Sequence, residues 1–273
     1  GYRSTFIVNF GQNGTFNGTK TAQGNADENG IGNFFYAVPS GFLALTSSNL
    51  PDSTIGPNSG VNEQADDYFN TVIWSGNSTN NRSITTGHAT DFVWIKKRAT
   101  TVQSHVLADT VRGTSDNGGT GNNGILATNL NTAESTNSSD SGIASFDSTG
   151  FTIGAGSNTA NADAPYQGTN ASGHTYVGWS WKAGGTAVSN TDGSITSSVS
   201  ANTDAGFSIV SYTGTGSNAT VGHGLSSAPE LVIVKERDST GQWAVQSTGL
   251  SAADKAVYLQ TSGGEATKAD HFN

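Results

Sequence analysis

Two stretches of this chain say nearly the same thing in the same order. TVIWSG at 71–76 leads through a polar loop to TDFVWIKKR at 90–98, and FSIVSYTG at 207–214 leads through another to PELVIVKER at 229–237. Tyr212 falls 138 positions after Trp74, and Pro229 falls 139 positions after Thr90. Val93, Lys96 and Arg98 recur unchanged as Val232, Lys235 and Arg237, while Asp91, Phe92 and Ile95 change conservatively to Glu230, Leu231 and Val234. A duplication in fixed order constrains the fold more than any single motif, because each copy must repeat one supersecondary arrangement.

The repeated text reads as strands. In DFVWIKK, Phe92 and Trp94 project to one face and Val93 and Ile95 to the other, which predicts a strand covered on both sides. SFDSTGFTIG at 145–154 predicts a hairpin, with Gly150 in the left-handed position of a bulged turn. In TYVGWSWK, Val177, Trp179 and Trp181 share a face, opposite Tyr176, Gly178, Ser180 and Lys182. The three bulky residues are expected on the core side. Hydrophobic residues make up 33% and charged residues 12% of the chain, so Gly, Ser, Thr and Asn supply most of the polarity, as turn-dense β structure requires.

These readings give an all-β chain of serial antiparallel β-sandwich units in two related copies. Copy one spans 67–183, residues 184–193 (GGTAVSNTDG) read as a linker, and copy two spans 194–273. Ser251-Ala252-Ala253-Asp254 has the form of a capping box and supports one helical turn at most. The second copy reaches Asn273 before counterparts of the hairpin and of TYVGWSWK, and a sandwich without them presents an unpaired edge. The expectation is that the polypeptide continues or that another chain supplies those strands. The chain has no Met, so Gly1 is read as following a removed segment or as lying within a longer polypeptide.

Twelve Lys and Arg against 21 Asp and Glu give a formal charge of −9, which argues against nucleic acid or anionic lipid as main partner. No stretch approaches the roughly 18 consecutive apolar residues of a membrane span. There is no Cys, so disulfides and thiolate metal sites are excluded.

No nucleophile elbow, zinc-protease helix or P-loop occurs, so no catalytic residue and no cofactor is assigned. His88, His105, His174, His223 and His271 stand singly, and His88 and His223 read as turn residues common to both copies. Asp66-Asp67 read as part of a solvated boundary. Asn25, Asp27, Asn29 and Gly30 occupy positions 1, 3, 5 and 6 of a calcium-type loop, but position 12 is Tyr36, where the bidentate acid belongs. Trp74, Tyr212 and Trp243 are the candidates for sugar stacking, weighed against their use as core aromatics.

NFGQNGTFNG, followed by NADENGIGNFFYAVPSGFLALTSSNLP, resembles the end of the SPRY-like domains of large bacteriophage virion proteins, in which units similar to the two repeats come next. The resemblance covers nearly the whole chain. It implies that residues 1–66 are the C-terminal part of a SPRY-like β domain with its connector, and that each repeat is a concanavalin-like or jelly-roll-like sandwich. It also implies a non-catalytic structural or adhesion segment of a tail fibre or other virion appendage, located in the virion and so extracellular. Its partners would be other virion proteins, copies of itself in a homo-oligomer (a trimer by analogy), and a host surface glycan. A lectin-like receptor-recognition module is the alternative, and a glycan-degrading enzyme the third reading. The family supplies no site residues.

Overall fold

The computed structural model describes residues 14–15, 18–44, 49, 64–98, 104–113, 125–135, 142–155 and 169–268. The chain divides into two compact units, Gly1–Thr54 and Ile55–Asn273. In the first, Asn25 and Phe34 form an isolated antiparallel bridge that closes a turn around Asp27. The alternation of Phe6, Val8 and Phe10 with Ile7 and Asn9 predicts a strand, which lies outside the described residues.

The second unit is built of strands. Copy one contains β1 (Phe69–Ser75), β2 (Arg82–Thr85), β3 (Phe92–Lys97), β4 (His105–Asp109), β5 (Leu126–Ala127), β6 (Ile143–Asp147), β7 (Gly150–Ile153) and β8 (Thr175–Trp181). The remainder contains β9 (Val188–Asn190), β10 (Ser197–Asn202), β11 (Phe207–Tyr212), β12 (Leu231–Lys235), β13 (Trp243–Ser247), β14 (Lys255–Tyr258) and β15 (Ala266–Thr267). All named strand pairs are antiparallel, and the described residues contain no α-helix. The chain is all-β.

Copy one is a two-layer sandwich: a five-stranded sheet ordered β1-β8-β3-β4-β5 faces a three-stranded sheet ordered β2-β7-β6. Its core takes Trp74, Val93, Ile95, Val106, Ala108 and Tyr176 from the first sheet and Ile84, Ile143, Phe151 and Ile153 from the second. Period-two alternation explains why neighbours such as Phe92 and Val93 have different fates: Val93 is fully buried, and Phe92 lies on the other face.

Two local expectations are corrected. The core side of β8 is Tyr176, Gly178 and Ser180, whereas Val177, Trp179 and Trp181 are half-buried on the outer face. The reason is complementarity rather than size. Trp74 stacks on Tyr176 with centroids 5.6 Å apart, and a Cβ on Gly178 would meet the Trp74 ring at 3.1 Å. The hairpin forms, with Phe146 opposite Phe151 and Asp147 opposite Gly150. Gly150, however, sits in extended strand rather than the left-handed region. Glycine is needed there because a Cβ would fall 2.0 Å from the carbonyl oxygen of Ile84 on β2. Residues 184–193, read as a linker, contribute β9, and 251–254 form a turn before β14, within the limit of one helical turn.

The duplication is visible in the strands. β11 and β12 stand where the offsets place the counterparts of β1 and β3. Thr110 N–H donates to the Asp91 carbonyl at 2.8 Å, and the matching Thr248 N–H donates to the Glu230 carbonyl at 3.0 Å. The sheets differ, though. β11 belongs to a sheet ordered β11-β10-β9 and β12 to one ordered β12-β13-β14-β15, whereas β1 and β3 share one sheet through β8.

Candidate functional site

Of the three sugar-stacking candidates, two are structural. Trp74 is 7% exposed, donates its indole N–H to the Thr169 carbonyl at 2.9 Å and lies between the rings of Tyr176 and Phe151. Trp243 is 4% exposed and donates to the carbonyls of Ala127 and Leu130 at 3.1 and 3.0 Å. A ring with both faces packed and its N–H satisfied has no surface for a sugar. Tyr212, at the end of β11, is 43% exposed. Trp94, Trp179 and Trp181 are half-buried.

The calcium-type loop is organised without an ion. Asp27 accepts from the amides of Asn29 and Ile31 through Oδ1, and from the Ala44 amide and the Asn49 side chain through Oδ2. Asn25 turns its side-chain amide to the carbonyls of Phe34 and Phe35, and Asn29 donates to Asn49. Burial raises the Asp27 pKa, but the four donors outweigh it and hold the carboxyl below its usual range. A carboxylate whose oxygens already face N–H groups is a loop clamp, not a ligand set. No group of His, Asp or Glu able to hold a metal occurs among the described residues.

The histidines are scattered. His88 is buried, with Nε2 on the Ser180 hydroxyl at 3.1 Å and Nδ1 on the Ala89 carbonyl at 2.9 Å. His223 accepts from the Leu225 amide through Nδ1. His105 Nδ1 accepts from the Trp94 indole at 3.2 Å, and burial, assisted by the Lys96 charge, lowers its pKa. His174 offers its carbonyl to Gly76 N–H, and His271 lies outside the described residues. Asp66 and Asp67 close a 3-10 turn before β1.

The described residues converge at the joint between the repeats. Trp243 of copy two packs with Leu107 and Leu126 of copy one. Phe207 stacks on Trp181 and meets Phe92 edge-on, centroids 6.0 and 5.6 Å apart. Glu134 bridges the copies through charge: one oxygen takes Arg112 at 2.8 Å and the other Arg237 at 2.6 Å, while Arg112 also holds Asp109 at 2.6 Å. Where the chain passes from β8 into the second copy, buried Asp91 accepts the amides of Ala183 and Gly185 at 2.8 and 3.3 Å. Beside it lies a cleft of about 560 Å³ lined by Tyr68, Asp91, Lys182, Gly184, Asn202 and Asp204 among others.

Residues 64–273 match the family described as Domain of unknown function (DUF7483). The chain belongs to that family. No curated protein and no solved structure matches it.

The DUF7483 region takes in both repeats and every contact of the joint. Sequence reasoning missed Glu134, Arg112, Asp91 and Phe207 as members of that joint. The Glu134–Arg237 pair joins residues 103 positions apart, and no local pattern reports such a distance. Asp91 had a signal: it is an acid retained in kind as Glu230 at the head of the repeated strand. No helix of the described DUF7483 residues is long and apolar enough to cross a membrane.

Proposed function

We propose that the chain is a non-catalytic structural and adhesion segment of an extended β-rich appendage, of the kind bacteriophage virions carry as tail fibres. The observation that supports this is the joint between the repeats. Consecutive copies are locked by a buried Trp, an aromatic stack and a shared carboxylate rather than strung on a free linker. A locked joint transmits load from one repeat to the next, which an appendage requires and a tethered binding module does not. The acidic balance keeps such an assembly soluble outside a cell. Its partners are other virion proteins and further copies of itself.

Immunogold microscopy tests the reading. Antibody raised against the chain is expected to decorate an appendage on particles from a culture that produces it, and label confined to debris or cells would sink the idea. Sedimentation of the purified chain tests the homo-oligomer, with a trimer expected.

Glycan binding stands as a second reading because Tyr212 keeps an open ring. It predicts glycan-array signal that disappears with Tyr212→Ala.

A further inference from the structure

One of the differences between the two repeats is at the strand that joins β1 to β3. In copy one β8 lies between β1 and β3 and pairs with both, Trp181 opposite Phe69 and Phe92, and Tyr176 opposite Trp74 and Lys97. In copy two β12 pairs with β13 in the register in which β3 pairs with β4: Ile233 faces Val245 as Trp94 faces Leu107. β11 pairs with β10 alone and β12 with β13 alone among the described strands, so each keeps one unpaired edge. Between the counterparts of β1 and β3, no described strand takes the place of β8.

The side chains around that place repeat those that receive β8. Trp74, covered in copy one by Tyr176, becomes Tyr212, which is 43% exposed. Phe92 and Trp94 become Leu231 and Ile233, exposed by 57% and 43%. Asp91, which accepts the amides of Ala183 and Gly185 just past β8, becomes the exposed Glu230. His88, bonded to Ser180 of β8, becomes His223. Arg237, just beyond β12, reaches the Ser211 hydroxyl of β11 at 3.4 Å, so one arginine side chain spans between the two strands. Two unpaired edges flanked by exposed apolar residues form a template for strand addition.

We propose that this gap is a strand-acceptor site whose occupant is an extended polypeptide segment of the β8 type. The duplication specifies the occupant. It is about seven residues long and runs antiparallel to both edges. A Tyr176-like aromatic lies opposite Tyr212 and Glu236, and a Trp181-like residue opposite Phe207 and Leu231. The position equivalent to Gly178 is small, and the one equivalent to Ser180 carries a hydroxyl for His223. Filling the gap joins β11 and β12 in one sheet and displaces the Arg237–Ser211 contact. The inference rests on the internal duplication and is independent of the appendage reading.

The test adds a synthetic peptide with the sequence of residues 173–183 to the intact chain and follows backbone hydrogen exchange. Saturating peptide is expected to slow exchange across 207–212 and 231–235 by roughly tenfold or more, and to leave β6 and β7 unchanged. The same peptide carrying Gly178→Pro, which removes a ladder donor, is expected to leave exchange as it was. Three results overturn the proposal: no slowing at peptide concentrations up to solubility, equal slowing by the Pro peptide, or protection that grows with protein concentration alone. The last would make a second copy of the chain the occupant.

Discussion

Trp243 of the second repeat donates its indole N–H to the carbonyl of Ala127 in the first, at 3.1 Å. One side chain thereby satisfies a turn more than a hundred residues away while filling the space over Leu107 and Leu126. Trp243→Ala removes the ring and leaves the Ala127 and Leu130 carbonyls without this donor. The expected loss is about 3–5 kcal/mol, as for a buried Trp elsewhere. Urea unfolding followed by circular dichroism reads it. The wild type is expected to lose both repeats in one transition and the variant in two; one unshifted transition in the variant would show that Trp243 does not couple them.

Glu134 sits between two guanidinium groups of unequal burial, with Arg112 6% and Arg237 39% exposed at the side chain. Glu134→Gln takes the Glu134 carboxylate from the buried Arg112, which still holds Asp109 and the Leu107 carbonyl, and a cost of about 3 kcal/mol is expected, the low end for a broken buried pair. Arg237→Ala is expected to cost about 1 kcal/mol or less, because its charge remains near water. Equal denaturation midpoints for the two variants would contradict this ordering.

Two glycines make separable predictions. A Cβ at Gly150 meets the Ile84 carbonyl oxygen at 2.0 Å, a backbone atom that moves only if β2 and β7 separate. At Gly178 it meets the Trp74 ring at 3.1 Å, and a ring shift of a few tenths of an ångström relieves it. Gly178→Ala is therefore expected to cost about 1–3 kcal/mol, as overpacking does, and Gly150→Ala distinctly more. Thermal melts of the two variants rank them, and the reverse order would refute the close-approach account.

The class of fold was legible because period-two alternation and a duplicated block are local patterns. The Thr110–Asp91 and Thr248–Glu230 bonds confirm that the spacing carried real register. The face of β8 was not legible from β8 alone. Three large residues on one side suggest a core, yet the opposite side is buried because Gly178 makes room for Trp74 and Ser180 meets His88. That information resides in β1 and in the loop before β3. Trp74 and Trp243 were illegible as structural residues for a related reason: a Trp reads identically whether its indole finds a carbonyl or open water.

His105 makes stability depend on pH. Burial first, and the Lys96 charge second, lower its pKa below the ordinary 6.5, so the unfolded chain takes up the proton before the folded one does. Stability is therefore full above pH 6.5 and declines as pH falls from there toward the folded value. Protonation of Nδ1 also removes the acceptor for the Trp94 indole. His105→Gln, which keeps an acceptor without a titrating ring, is expected to flatten this part of the profile. Urea midpoints at a series of pH values check it, and an unchanged slope in the variant would assign the dependence to another group.

Asp27 predicts an insensitivity. Its two oxygens accept four N–H groups from residues 29, 31, 44 and 49, so calcium has no open carboxylate to bind. Added calcium, or a chelator, is expected to leave exchange at the Ile31 and Ala44 amides unchanged. Asp27→Asn replaces one accepting oxygen by a donor facing N–H groups, and exchange at those amides is expected to rise by roughly tenfold or more. Acid should act like the substitution. Because the four donors hold the folded pKa below the ordinary 3.8, the stabilisation is present above that value and disappears as pH falls through the folded one. Protection that instead rose with calcium would restore the ion site and overturn the reading of Asp27 as a clamp.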